Sequence, residues 1–132
     1  MKVQNVIECL IEMGNFGLGW GKAETFMDKV AEELEEVREA VLENNPEHLK
    51  EELGDLILTA IDLSRYLGHD PSEALEISFL KLNARFVHFK RIIKENGLDH
   101  KLMSSEDRFD VWKQARRIVA EEKAGSERES TK

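Results

Sequence analysis

Lys29-Val-Ala-Glu-Glu-Leu-Glu-Glu-Val37 and, beyond Asn44-Asn45-Pro46, Glu51-Glu-Leu-Gly-Asp-Leu-Ile-Leu-Thr-Ala-Ile-Asp62 are the two stretches whose reading decides the fold. Each repeats apolar residues at helical spacing and sets carboxylates beside them. Asn45 followed by Pro46 reads as an N-cap with proline at the first helical position. The pair is therefore two helices joined at a tight turn. Val30, Leu34, Val37 and Val41 form the expected buried stripe of the first helix, which runs from Ala23 or Thr25 to Glu43. The second, ending near Leu67, is apolar on nearly all sides after Asp55, a pattern that belongs inside a bundle or at a subunit interface.

Working outward, residues 3–13 give a short amphipathic helix stopped by Gly14. Gly14 to Lys22 is a Gly-rich loop without the spacing of a phosphate-binding turn, and its Phe16 and Trp20 are expected to plug an end of the core. Asp70-Pro71-Ser72-Glu73 starts a further helix, with Asp70 as cap and Glu73 reaching back. Along it Leu75, Phe79, Leu82, Phe86, Phe89 and Ile93 alternate steps of four and three, a seam suited to a partner helix. Lys81, Arg85 and His88 form a basic stripe beside that seam. Gly97 ends the helix and Ser104 opens the last one, whose inner side carries Phe109, Trp112 and Ala115. No strand-like alternation and no repeat is evident. The expected architecture is an all-α antiparallel bundle of four to five helices in one domain, 1–123, with a solvated, disordered tail at 124–132.

Composition narrows the functional classes. With 19 basic and 27 acidic residues the net charge is −8, which argues against a nucleic-acid backbone as partner. An acidic protein can still handle a phosphorylated metabolite if metal ions stand between the negative charges. One cysteine, Cys9, precludes an internal disulfide and fits a reducing compartment. No apolar run approaches a membrane span, and no signal peptide is evident, so a cytoplasmic protein is expected.

The acids carry the sharpest signal. Glu33 and Glu36 are three residues apart on one helix, as are Glu52 and Asp55 on the next. If the helices fold back antiparallel, a rise of about 1.5 Å per residue brings Glu36 and Asp55 to similar height, with Glu33 and Glu52 roughly one turn to either side. Carboxylates converging near a core resist ionisation unless a cation is supplied. Oxygen ligands without clustered cysteine or histidine select Mg²⁺, with Mn²⁺ possible, rather than zinc. The alternative for the pentad Glu32-Glu33-Leu34-Glu35-Glu36 is an ordinary solvated face. Lys81 and Arg85 supply the cations that a magnesium–phosphate site requires. His88 is evenly balanced between that role and a solvated edge.

Together, Glu32-Glu33-x-x-Glu36, Glu52-x-x-Asp55, Leu67-Gly-His-Asp-Pro-Ser-Glu-Ala-Leu75, Lys81-Leu-Asn-Ala-Arg85-Phe86 and Phe109-Asp-Val-Trp112-Lys-Gln-Ala115 resemble the MazG-type all-α nucleoside triphosphate pyrophosphohydrolases over residues 20–116. The resemblance implies hydrolysis of a nucleoside triphosphate between the α and β phosphates in a homodimer or homotetramer. It assigns magnesium to Glu33, Glu36, Glu52 and Asp55, phosphate contacts to Lys29, Lys81 and Arg85, packing near the nucleotide to Trp112, and the attacking water to Glu32. Asp62 stands where relatives often have asparagine and is a position to watch for specificity. A phosphoribosyl-ATP pyrophosphohydrolase would use the same acids. A non-catalytic helical dimer, with the seam binding a partner protein, is the alternative from a different class.

Overall fold

In the computed structural model, which describes residues 1–19 and 21–131, five helices follow one another: α1 (Val3–Asn15), α2 (Ala23–Glu43), α3 (Pro46–Tyr66), α4 (Pro71–Glu95) and α5 (Ser105–Ser130). No strand occurs among the described residues, so the all-α expectation holds. Trp20 lies outside the described residues. No described helix is long and apolar enough to cross a membrane.

The helix ends follow local chemistry. Asn45 Oδ1 accepts from the backbone N–H groups of Glu47 and His48, each at 3.2 Å, and Pro46 occupies the first turn. Asn44, at φ 54°, takes the left-handed conformation that closes α2. Two residues therefore suffice to turn the chain from α2 into α3. Asp70 Oδ1 accepts from Ser72 N at 2.8 Å, and Ser104 Oγ accepts from Asp107 N at 3.0 Å. The capping residues are the ones the sequence predicts, but among the described residues no bond runs from Glu73 back to Asp70, which caps through Ser72 alone.

The chain packs as two compact units, Met1–Leu75 and Glu76–Lys132. The boundary falls inside α4, whose 25 residues span about 38 Å at the usual helical rise.

In the first unit α2 and α3 form the closely packed pair, and α1 lies on α3. Phe26, 1% exposed, stacks on Tyr66 with centroids 4.2 Å apart, and the Tyr66 hydroxyl donates to Gly21 O at 2.9 Å. The buried stripe of α2 is Phe26, Glu33 and Ala40. Val30 and Val37 only flank it, while Leu34 and Val41 are exposed, so the expected stripe is rotated round the helix. No residue of α3 is fully buried, and Ile57 and Leu58 are exposed. Phe16 is exposed as well and plugs nothing.

In the second unit Ile92 and Ile93 of α4 meet Val111 and Ala115 of α5, with Phe89, Met103 and Ile118 around them. Only the C-terminal end of the predicted seam is covered. Leu75, Phe79, Leu82 and Phe86 are exposed. The last helix continues to Ser130, past the point where a disordered tail was expected. Glu, Lys and Arg are good helix formers in water, and Arg128 Nε donates to Ala124 O at 3.3 Å within the last turns.

Candidate metal centre

Glu33 is the one charged residue counted among the buried side chains of the described chain, at 5% exposure. It lies in the middle of the buried line of α2, seven residues from both Phe26 and Ala40. An isolated buried carboxylate is strongly unfavourable. Here the compensation is local: Lys29, one turn earlier, places Nζ 2.7 Å from Glu33 Oε1 and 3.0 Å from Glu32 Oε1. That contact holds the Glu33 carboxyl below its ordinary pKa range, against the opposing effect of burial. The same two glutamates push the Lys29 ammonium upward.

The other Glu33 oxygen, Oε2, is buried with no hydrogen-bond partner among the described residues. Nearby, Glu33, Glu36 and Glu52 each offer one oxygen to a group whose members all lie within 4.8 Å of one another. Crowding against Glu33 pushes the Glu36 carboxyl up, with burial and the Glu52 charge adding to it. Carboxylates accept hydrogen bonds but donate none, so such a group is relieved either by a retained proton or by a cation. A buried orphan oxygen within a three-carboxylate set fits a hard divalent cation such as Mg²⁺ or Mn²⁺.

His48 was not foreseen in this site. Its Nε2 lies 2.9 Å from Glu52 Oε1 and its Nδ1 lies 2.7 Å from Glu43 Oε2. Both partners only accept, an arrangement that suits a ring protonated at both nitrogens, and the carboxylate of Glu43 above all raises the His48 pKa. The signal in the sequence was a histidine four residues ahead of Glu52 on one helix, hence on the same face.

The remaining expected residues divide. Glu32 is exposed beside Lys29. Asp55 does not join the group: it is exposed, and the convergence read from helical rise stops at three acids. Matching heights along two helices do not fix where a side chain points round its own axis, which explains the difference. Asp62 is held by Arg65, with Oδ1 2.7 Å from Nη2, and borders a cavity of about 300 Å³ lined by Leu10, Met13, Leu18 and Gly19.

Lys81, Arg85, His88 and Trp112 belong to the second unit. Lys81 is exposed, and Arg85 is half-buried with its Nε unpartnered among the described residues. His88 Nε2 meets Glu122 Oε1 at 3.0 Å while Nδ1 faces Arg91 Nη2 at 3.3 Å, so its ring ties α4 to α5. Trp112 packs edge-on to Phe89 at 6.1 Å and borders a cavity of about 270 Å³ with Phe79, Leu82, Asn83 and Phe86.

The profile of the MazG nucleotide pyrophosphohydrolase domain matches residues 22–89, slightly more than half of the 132. The chain belongs to the MazG family. The nucleoside triphosphate pyrophosphohydrolase/pyrophosphatase MazG of Thermotoga maritima is 34% identical over 100 residues, covering 76% of this chain and 38% of that protein. The nucleoside triphosphate pyrophosphohydrolase of Escherichia coli K12 is 35% identical over 107 residues, covering 78% and 40%. The chain thus spans about two fifths of the length of these relatives. The MazG match takes in every acid of the centre, His48, Lys81 and Arg85, and stops short of Trp112.

Proposed function

We propose that this MazG-family chain is a divalent-metal-dependent nucleoside triphosphate pyrophosphohydrolase, releasing a nucleoside monophosphate and pyrophosphate. The observation that carries the reading is the buried Glu33, whose Oε2 is orphaned within the Glu33–Glu36–Glu52 group. Glu33, Glu36 and Glu52 would hold Mg²⁺ or Mn²⁺, and Asp55 is assigned as a further ligand on the motif alone. A bound divalent ion would neutralise the triphosphate and polarise its phosphoryl oxygens.

Lys29 keeps Glu33 ionised through its 2.7 Å contact, so that residue is ready as a ligand without first losing a proton. Glu32, exposed next to Lys29, is assigned to orient the attacking water. Phosphate contacts by Lys29, Lys81 and Arg85, and nucleotide packing by Trp112, rest on the family motifs. The setting is cytoplasmic, and the role is cleansing of the nucleotide pool.

The exposed seam residues Leu75, Phe79, Leu82 and Phe86 support self-association as a homodimer or homotetramer. The decisive assay incubates the protein with common and modified nucleoside triphosphates, and with phosphoribosyl-ATP, in Mg²⁺, Mn²⁺ or EDTA. Monophosphate and pyrophosphate formed only with metal are expected. Silence across the whole panel would sink the enzymatic reading in favour of a binding protein.

A further inference from the structure

We infer that His48 is a positioning residue for the metal centre, fixing the Glu52 carboxylate relative to the helix that carries Glu33 and Glu36. The inference rests on the metal-dependent reading above. Three of its features are geometric. First, of the three clustered acids Glu52 is the one on α3, whereas Glu33 and Glu36 are both on α2, so the cluster depends on how the Glu52 side chain is held. A glutamate has several rotatable bonds and samples many rotamers unless something holds its end.

Second, the imidazole holds that end: Nε2 lies 2.9 Å from Glu52 Oε1. Third, the imidazole is itself anchored on its far side by Glu43 Oε2 at 2.7 Å. Glu43 is the last residue of α2. The chain Glu43–His48–Glu52 therefore references the α3 ligand back to α2 across the hairpin turn. The His48 backbone N–H is also fixed, donating to Asn45 Oδ1. Carboxylates that bind metals are commonly oriented by such outer partners, whose loss costs on the order of 10- to 100-fold in affinity.

The test compares two substitutions of similar size, His48→Gln and His48→Leu. Glutamine can still hydrogen-bond a carboxylate four residues on, and leucine cannot. Mn²⁺ binding to the purified protein is measured by isothermal titration calorimetry, with helical circular dichroism as the folding control and Glu36→Gln as the reference for a lost ligand. The expected result is a Mn²⁺ dissociation constant raised about 10-fold in His48→Leu and largely restored in His48→Gln. Wild-type affinity in a folded His48→Leu, alongside lost affinity in Glu36→Gln, overturns the role of His48 while leaving the metal centre standing. Equal weakening in both His48 variants also overturns it, since the hydrogen bond to Glu52 would then be irrelevant. If the wild-type protein binds no Mn²⁺, the metal centre fails and this inference fails with it.

Discussion

The α2–α3 hairpin and the N-terminal part of the α4 seam invert one another. On α2 a glutamate occupies the centre of the buried line, with Leu34 and Val41 turned outward. On α4 the reverse holds: Phe79 is 59% exposed in a position where a seam pattern expects cover. A buried charge persists when its neighbours compensate it, and here Lys29 does so from one turn away. An uncovered apolar row persists when another surface completes it. Each departure from the rule of apolar inside and charged outside thus falls where the proposed function puts a binding partner, a divalent ion in one case and a second copy in the other.

The contrast can be tested hardest through stability. Phe26→Ala, at the stacked and buried end of α2, is expected to cost about 3–5 kcal/mol in urea unfolding. Phe79→Ala should change the stability of the dilute protomer by within about 0.5 kcal/mol, as exposed sites do. Equal losses would mean that the seam is not an open surface. Next in size is the effect on turnover. Glu36→Gln should lower kcat/KM by at least about 100-fold, more than loss of an outer partner would, while the helical circular-dichroism spectrum stays intact.

A third measurement addresses the seam: Phe79→Asp combined with Leu82→Asp should move the mass seen by light scattering from oligomer to monomer. An unchanged mass would place the self-association surface elsewhere. The last expectation is thermal. Mn²⁺ at 100 times its dissociation constant stabilises by about 2.7 kcal/mol, raising the melting temperature by several degrees, and EDTA should reverse the rise. Substituting Glu33→Gln should abolish that shift.

Much of the framework was legible because it is written in local chemistry. Asn45-Pro46, Asp70 and Ser104 mark helix starts through bonds to residues two or three positions away, and the structure contains them. The pairing of Glu33 with Glu36 was equally local. Rotation about helix axes was not legible, because it depends on contacts distant in sequence. That is why the α2 stripe emerged as Phe26, Glu33 and Ala40, and why Asp55 fell outside the acidic group. The polar run 124–132 reads as a solvated tail, whereas its charged residues sustain α5 as far as Ser130. The two contacts of His48 differ in legibility: Glu52 lies four residues on along the same helix, whereas Glu43 lies across the turn on α2, where the periodicity of one helix carries no information.

The two-residue connection Asn44–Asn45 has a consequence for how this hairpin can vary. It works as an indexing pin. One residue inserted just past it, within the first turns of α3 ahead of Glu52, would turn that carboxylate about 100° round the helix axis relative to the Asn45-capped start, carrying it away from Glu33 and Glu36 although every acid would still be present in the sequence. Length variation is ordinarily tolerated in surface turns. Just past this turn, inside the first turns of α3, a one-residue insertion would erase the centre more thoroughly than many substitutions within it.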